Sequence, residues 1–213
     1  MDGSWVVEVT TADGAADYAL DEGRATGRVL LETQLPRRYA DSTVTDERVR
    51  AWVRDMVAEA VTGMRNGYPV VRSGPSLVLT GNPGRGKTWQ VFGALRALSG
   101  SGVFCRWQFT TASDMLKSLR PRHGIDSFEV FEEFASVPLL VIDDLGAAKD
   151  SPWTEDQVGG IVDRRSKWMR PTLITTNVPG KLFTEQFGER IASRLDEMAT
   201  VVPFLGPDLR RGA

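Results

Sequence analysis

The stretch Gly81–Thr88, reading GNPGRGKT, constrains this chain more than any other, because it meets every fixed position of the pattern G-x-x-x-x-G-K-[ST]. Ser76–Thr80 before it is a short apolar run of strand type. After it Trp89, Val91, Phe92, Leu95 and Leu98 recur at helical spacing. The spacing therefore predicts a strand feeding a helix through a loop, the context in which the pattern binds phosphate. Gly81, Gly84 and Gly86 allow positive φ and turn backbone N–H groups inward around an anion. Lys87 offers an ammonium to β- and γ-phosphates, Thr88 a hydroxyl to Mg²⁺, and the positive end of the helix dipole lies behind both. The candidate nucleotide-contacting set is Gly81, Asn82, Pro83, Gly84, Arg85, Gly86, Lys87, Thr88 and Trp89.

A second landmark follows at Val137–Gly146, VPLLVIDDLG. Leu139–Ile142 make an apolar strand that runs directly into two carboxylates. Buried carboxylates are costly unless they meet a cation, so with a phosphate loop upstream Asp143 is the candidate Mg²⁺ anchor and Asp144 the candidate general base for an attacking water. Trp153–Met169 is predicted helical. Pro171–Thr176 is a further buried strand, ending at Asn177, which can hold the water or the γ-phosphate.

The length, 213 residues with 41% apolar content, suits one α/β domain plus a small appendage. A net charge of −2 gives no global signal for nucleic acid, so such contact must come from a local patch. The basic knot Lys117, Arg120 and Arg122 is the candidate single-stranded DNA contact, with a solvated helix end as the alternative; Arg164, Arg165 and Lys167 are the next place to look. His123 has no second ligand candidate nearby, and metal binding there carries no weight. Cys105 is the only cysteine, which fits a reducing, cytoplasmic setting, and no run is long and apolar enough for a membrane span.

Residues 1–34 are acid-rich and read as a separate segment, either a partly ordered tail or a docking segment for a basic partner surface. Within it Ser4–Thr10 and Gly27–Glu32 have strand-like or buried character. The stretch between them is open to helix, loop or disorder. From Pro36 onward the pattern is regular: a helix starts at Thr45–Glu47 and buries Val49, Trp52, Val53, Met56, Val57, Ala60 and Met64 before Gly67. A second strand is expected at Val103–Thr110, a helix at Ser113–Leu119 and another around Phe128–Phe134.

Taken together and in order, LPRRYADST, GNPGRGKT, LLVIDDLG, PWTEDQ, DRR, PTLITTN, ERIASRL and FLGPDLR resemble the AAA+ ATPases of the DnaC/DnaI helicase-loader and IstB transposition-ATPase group, over roughly Leu35 to Arg211. The resemblance implies an α/β P-loop NTPase fold of the AAA+/ASCE type, three-layered around a central parallel sheet and lacking a full C-terminal helical lid, over residues 35–213. It implies ATP and Mg²⁺ as cofactors, Asn177 as sensor 1, Arg194 as the first candidate arginine finger with Arg190 as the second, and Arg210 near the nucleotide. It implies slow, oligomer-dependent ATP hydrolysis, a homo-oligomer when ATP is bound, and a replicative DNA helicase or a transposase as partner on single-stranded DNA. Arg85 departs from the small or Thr residue usual in the group, as either an added phosphate contact or a hindrance. A small-molecule kinase has no evident use for ERIASRL, and a nucleotide-switch regulator with little turnover is the remaining alternative.

Overall fold

The computed structural model describes residues 5, 7, 9, 14–124, 126–146, 151–205 and 208. The expected strand at Ser4–Thr10 and the candidate Arg210 fall wholly or partly outside them. The chain divides into two compact units, one made of Met1–Gly74 with Thr88–Arg106 and the other of Pro75–Lys87 with Trp107–Ala213.

The first unit is helical. α1 (Gly14–Gln34) covers Gly27–Glu32, where strand-like or buried character was expected. The burial pattern explains the difference: Ala19, Leu20, Gly23 and Gly27 are buried and Leu30 is half-buried, which is the period of a helix face and not of a strand. At Gly23 a Cβ atom would stand 1.8 Å from the carbonyl oxygen of Gly102, so only glycine lets α1 approach that closely. α2 (Glu47–Thr62) buries Val49, Trp52, Val53, Met56, Val57 and Ala60 as its spacing predicts. Its first turn is fixed twice, by Asp46, whose side chain accepts from the Arg48 amide, and by buried Gln90, which accepts from the Thr45 and Asp46 amides. It ends at Thr62, short of Gly67, and Met64 lies beyond it. α3 (Lys87–Ser101) begins at the last residue of the second unit and otherwise belongs to the first.

The second unit is built on a five-stranded, wholly parallel sheet: β1 (Ser76–Thr80), β2 (Trp107–Thr111), β3 (Leu139–Leu145), β4 (Thr172–Thr176) and β5 (Ala199–Pro203). The order is β2-β3-β4-β1-β5, so β1 sits between β4 and β5. β2 starts four residues later than the expected strand at Val103. Phe104 is already committed, its amide donating to Pro69 and its carbonyl accepting from Val71, and it makes only an isolated bridge with Val70. The near-continuous apolar character of the interior strands β1, β3 and β4 matches burial on both faces, while the edge strands β2 and β5 are only partly buried. Four helices belong to this unit: α4 (Ala112–Leu119), α5 (Ser127–Ser136), α6 (Pro152–Lys167) and α7 (Phe183–Met198). Met115, Leu119, Phe134, Ile161, Val162 and Ile191 from these helices join Val78, Leu140, Ile142 and Ile174 of the sheet in one core. α7 is kinked at Gly188, where φ is 79°.

Arg165 of α6 is fully buried and touches no DNA-accessible surface, which removes it from the basic cluster considered above. Its guanidinium instead donates to the Thr172 hydroxyl and to the carbonyls of Phe134, Val137, Pro138 and Pro171. Burial, and then the neighbouring Arg170, push its pKa down to about 9, which leaves it charged at neutral pH. One side chain thus satisfies the backbone at the end of α5 and at the starts of β3 and β4. Arg165→Ala should lower the unfolding free energy by about 3 kcal/mol or more, through stranded carbonyls and a cavity. Urea titration followed by circular dichroism checks this; a loss below about 1 kcal/mol would show that the staple is dispensable.

Candidate functional site

The phosphate loop leaves β1, an interior strand of the sheet flanked by β4 and β5. The amide of Gly81 donates to Thr176 of β4, and the amide of Phe204, just after β5, donates to Thr80, so both neighbours of β1 hold the loop's root. This is the strand position at which open parallel sheets bind ligands, outside the carboxyl ends of their strands. Gly84 has φ 79° and Gly86 φ 81°. A Cβ at Gly84 would be strained by the positive φ and would also have to push aside the Asp208 carboxylate, whose Oδ1 lies 1.8 Å from it. The loop therefore has the conformation that turns its amides inward.

Lys87 is 8% exposed, and its ammonium donates to the carbonyls of Gly81 and Asn82 and to Oδ1 of Asn177 at 2.9 Å. Asn177 in turn donates through Nδ2 to Oδ1 of Asp144 at 3.0 Å. A chain of hydrogen bonds thus connects the loop lysine, the asparagine after β4 and the second acid after Ile142. Arg85 is half-buried; its Nη1 is shielded from solvent and lacks a hydrogen-bond partner among the described residues. A donor left this way at a phosphate loop is one that a phosphate oxygen would satisfy.

The two acids are aimed by an irregularity. β3 pairs Ile142 with Ile174 but Leu145 with Thr176, so β3 carries one residue more than β4 between these pairs. The extra residue makes a bulge, and Asp144 adopts φ 58°, in the left-handed region. Consecutive side chains of a regular strand point to opposite faces. Here the bulge interrupts that alternation: Asp143 meets Thr175 within β4, while Asp144 meets Asn177 just after it. Thr175 fixes the bulge, its buried hydroxyl accepting from the Asp144 amide at 2.9 Å and donating to Asp143 Oδ1 at 2.6 Å. Thr175 carried no signal in sequence, since its role depends on the register of β3 against β4.

Thr88 and Trp89 continue α3 within the first unit, where the ring of Trp89 lies edge-on to Tyr39 at 6.4 Å. Arg190 and Arg194 are not part of the Lys87–Asn177–Asp144 group. Both lie on α7 against Asp163 of α6, Arg194 at 3.1 Å and Arg190 at 3.5 Å, and Arg194 also pairs with Glu197 at 2.6 Å. Lys167 joins the same carboxylate at 2.8 Å, and the hydrogen bonds from Lys167 and Arg194 hold it below the usual carboxylate range. Of the basic knot, Lys117 is paired with Asp114, Arg120 lies over the Trp153 ring at 5.4 Å, and Arg122 is exposed. Among the described residues no group of His, Cys, Asp or Glu could hold a metal ion by itself, His123 included, and no helix is long and apolar enough to cross a membrane.

Against known proteins, the profile of the IstB-like ATP binding proteins matches residues 53–202. The replicative helicase loader DnaC of Escherichia coli K12 is 29% identical over 125 residues, 56% of this chain and 49% of the loader, so the chain spans about half the length of that relative. The ATP-binding protein of insertion sequence IS1162 from Pseudomonas fluorescens is 28% identical over 159 residues, 72% of this chain and 65% of the relative. A crystal structure of the DnaC helicase loader superposes with a TM-score of 0.63 at 22% identity, covering 80% of this chain and all of that one, which shows the shared P-loop NTPase fold of the AAA+ class.

The geometry at Thr175 generates a direct test. Thr175→Val keeps the shape but leaves the Asp144 amide and one Asp143 oxygen without their partner, a loss of about 1–3 kcal/mol. Misaimed acids should cut ATP-dependent phosphate release tenfold to a hundredfold or thereabouts in a protein that still unfolds cooperatively. An unchanged release rate would mean that the bulge does not set the acids' alignment.

Proposed function

The chain belongs to the IstB-like ATP binding protein family, and from that premise we propose that it is a Mg²⁺-dependent AAA+ ATPase that assembles on single-stranded DNA and loads a replicative DNA helicase. The observation that carries the reading is the hydrogen-bonded series Lys87–Asn177–Asp144, which links the phosphate loop to the acid suited to activate water. When bound, Mg²⁺·ATP supplies the transferable γ-phosphoryl group and the metal's charge. Lys87 exchanges the carbonyls of Gly81 and Asn82 for phosphate oxygens, and Arg85 gains a partner for its Nη1. Thr88 and Asp143 would hold the metal, Asp143 being bonded to Thr175. Asp144 would orient the attacking water and take its proton, with Asn177 bonded to both the phosphate-side lysine and this acid. A carboxylate one methylene shorter than Glu at this position suits slow turnover of a switching kind.

Arg194 is the arginine finger in this reading and Arg190 the reserve. In the isolated chain Asp163 and Glu197 occupy Arg194, and assembly substitutes a neighbour's γ-phosphate for one carboxylate. A second reading, assistance to a transposase, is favoured by the insertion-sequence relative, which covers more of this chain than the loader does. Pull-down in the presence of ATP decides between them: enrichment of a hexameric helicase supports loading, and enrichment of a transposase in its place overturns it.

Mixing tests the shared site. Arg194→Ala should bind ATP nearly normally yet hydrolyse it about a thousandfold more slowly. Lys87→Ala should weaken ATP binding in calorimetry, and Asp143→Ala should chiefly abolish hydrolysis. Co-assembled Lys87→Ala and Arg194→Ala should regain part of the activity, because some interfaces pair an intact loop with an intact finger. No recovery at any ratio would favour a site complete within one chain. For DNA, reversing the charges of Lys117, Arg120 and Arg122 should weaken single-strand binding and flatten its salt dependence while leaving ATP affinity intact; an unchanged salt slope would move the contact to Arg164 and Lys167.

A further inference from the structure

The first unit contains a cavity of about 330 Å³ whose lining includes Trp5, Arg24, Arg28, Ser42 and Arg96, none of which belongs to the phosphate loop, the bulge or the position of Asn177. Arg24 and Arg28 come from α1, one turn apart, and Arg96 from α3. Among the described residues only Arg24 of the three has a carboxylate partner. Arg96 donates to the carbonyl of Ser42 at 2.6 Å, and Arg28 is exposed and makes no hydrogen bond or ion pair among the described residues. Arg24 pairs with Asp21 at 2.8 Å, while its Nε donates to the carbonyl of Gly100. Outside the cavity lining, Arg50 lies 5.6 Å from the Trp5 ring centroid and is itself paired with Glu47 at 3.6 Å.

The second observation is Ser42 itself. It is 1% exposed, and its hydroxyl has no hydrogen-bond partner among the described residues. A buried hydroxyl left unsatisfied is destabilising, so its presence beside a cluster of cations in a cavity calls for an acceptor from outside the chain. Guanidinium groups held by carbonyls keep their remaining N–H donors and full charge, and their forked geometry matches phosphate oxygens. The volume lies near the lower end of the roughly 300–1,000 Å³ typical of small-molecule pockets, and Trp5 supplies an apolar wall.

We propose that this cavity is a second anion site that takes a small phosphorylated ligand of mononucleotide size, its phosphate held by Arg28, Arg96 and the Ser42 hydroxyl and its ring set beside Trp5. The proposal stands independently of the ATPase reading, since it uses no residue of the nucleotide loop.

Inorganic pyrophosphate is the probe, titrated calorimetrically into the full 213-residue chain carrying Lys87→Ala, so that the phosphate loop is disabled. One equivalent should bind. Adding Arg28→Ala should weaken it by about tenfold or more, as expected for loss of a charge-assisted contact from an exposed side chain that the fold does not need. Ser42→Ala should weaken it as well while leaving the melting temperature unchanged or raised, a combination that a purely structural serine would not give. AMP should compete with pyrophosphate. The proposal is overturned if the Lys87→Ala protein binds no pyrophosphate, if Arg28→Ala leaves the affinity unchanged, or if oligothymidine with a 5′-hydroxyl displaces the probe and AMP does not. Failure of the wild type to bind ATP would sink the ATPase reading alone.

Discussion

The offset between β3 and β4 is the constraint on which the rest of the candidate site depends. β3 and β4 are buried along nearly their whole length, so their register is set by how individual side chains pack against the helices and neighbouring strands. That register is kept through Ile142 and then broken by one residue. The break costs regular pairing and places a non-glycine residue at positive φ, yet both acids, Thr175 and Asn177 converge because of it. The phosphate loop stands beside it for an equally mechanical reason: β1 is paired on both sides, and its carboxyl end has nowhere to lead but out of the sheet.

How much of this could be read in advance follows from the range of each interaction. The loop, β1, β4, α2 and the acids after Ile142 announce themselves through runs of a few residues whose periodicity or glycine content is decisive locally. Gly27–Glu32 misled because GRVLLE is short and apolar, and only the glycine at 23 and the residues packed behind it reveal a helix face. Val103–Arg106 misled because the backbone of Phe104 is engaged by Pro69 and Val71. Thr175, Asp163 and Arg165 stand in plain sight in the sequence, but their meaning lies in partners between four and thirty-two positions away, brought together by the fold. Arg165 in particular sits between an exposed arginine and an exposed lysine and reads as one of a basic run until its burial is known.

Asp163 organises the opposite kind of site. It is one carboxylate shared by Lys167, Arg190 and Arg194, held ionised by them, and it keeps the two candidate fingers at the same place on α7. The kink at Gly188 begins the helical segment that bears both arginines, so their direction is set separately from the first half of α7. The arginines and the lysine of this group are partly exposed, and ion pairs with exposed partners exchange more readily than fully buried ones, which suits the finger role proposed for Arg194.

A bulge in a sheet behaves like a dislocation in a crystal: it can in principle glide along the strand and be expelled at an end, restoring perfect order behind it. Arg165 fixes the other end of the count. By gripping Pro138 and Val137 ahead of β3 together with Pro171 and Thr172 at the start of β4, its guanidinium ties the two strands together at the end opposite the acids. The register up to Ile142 is thereby measured from a tied end, and the defect stands a set length of chain away from it.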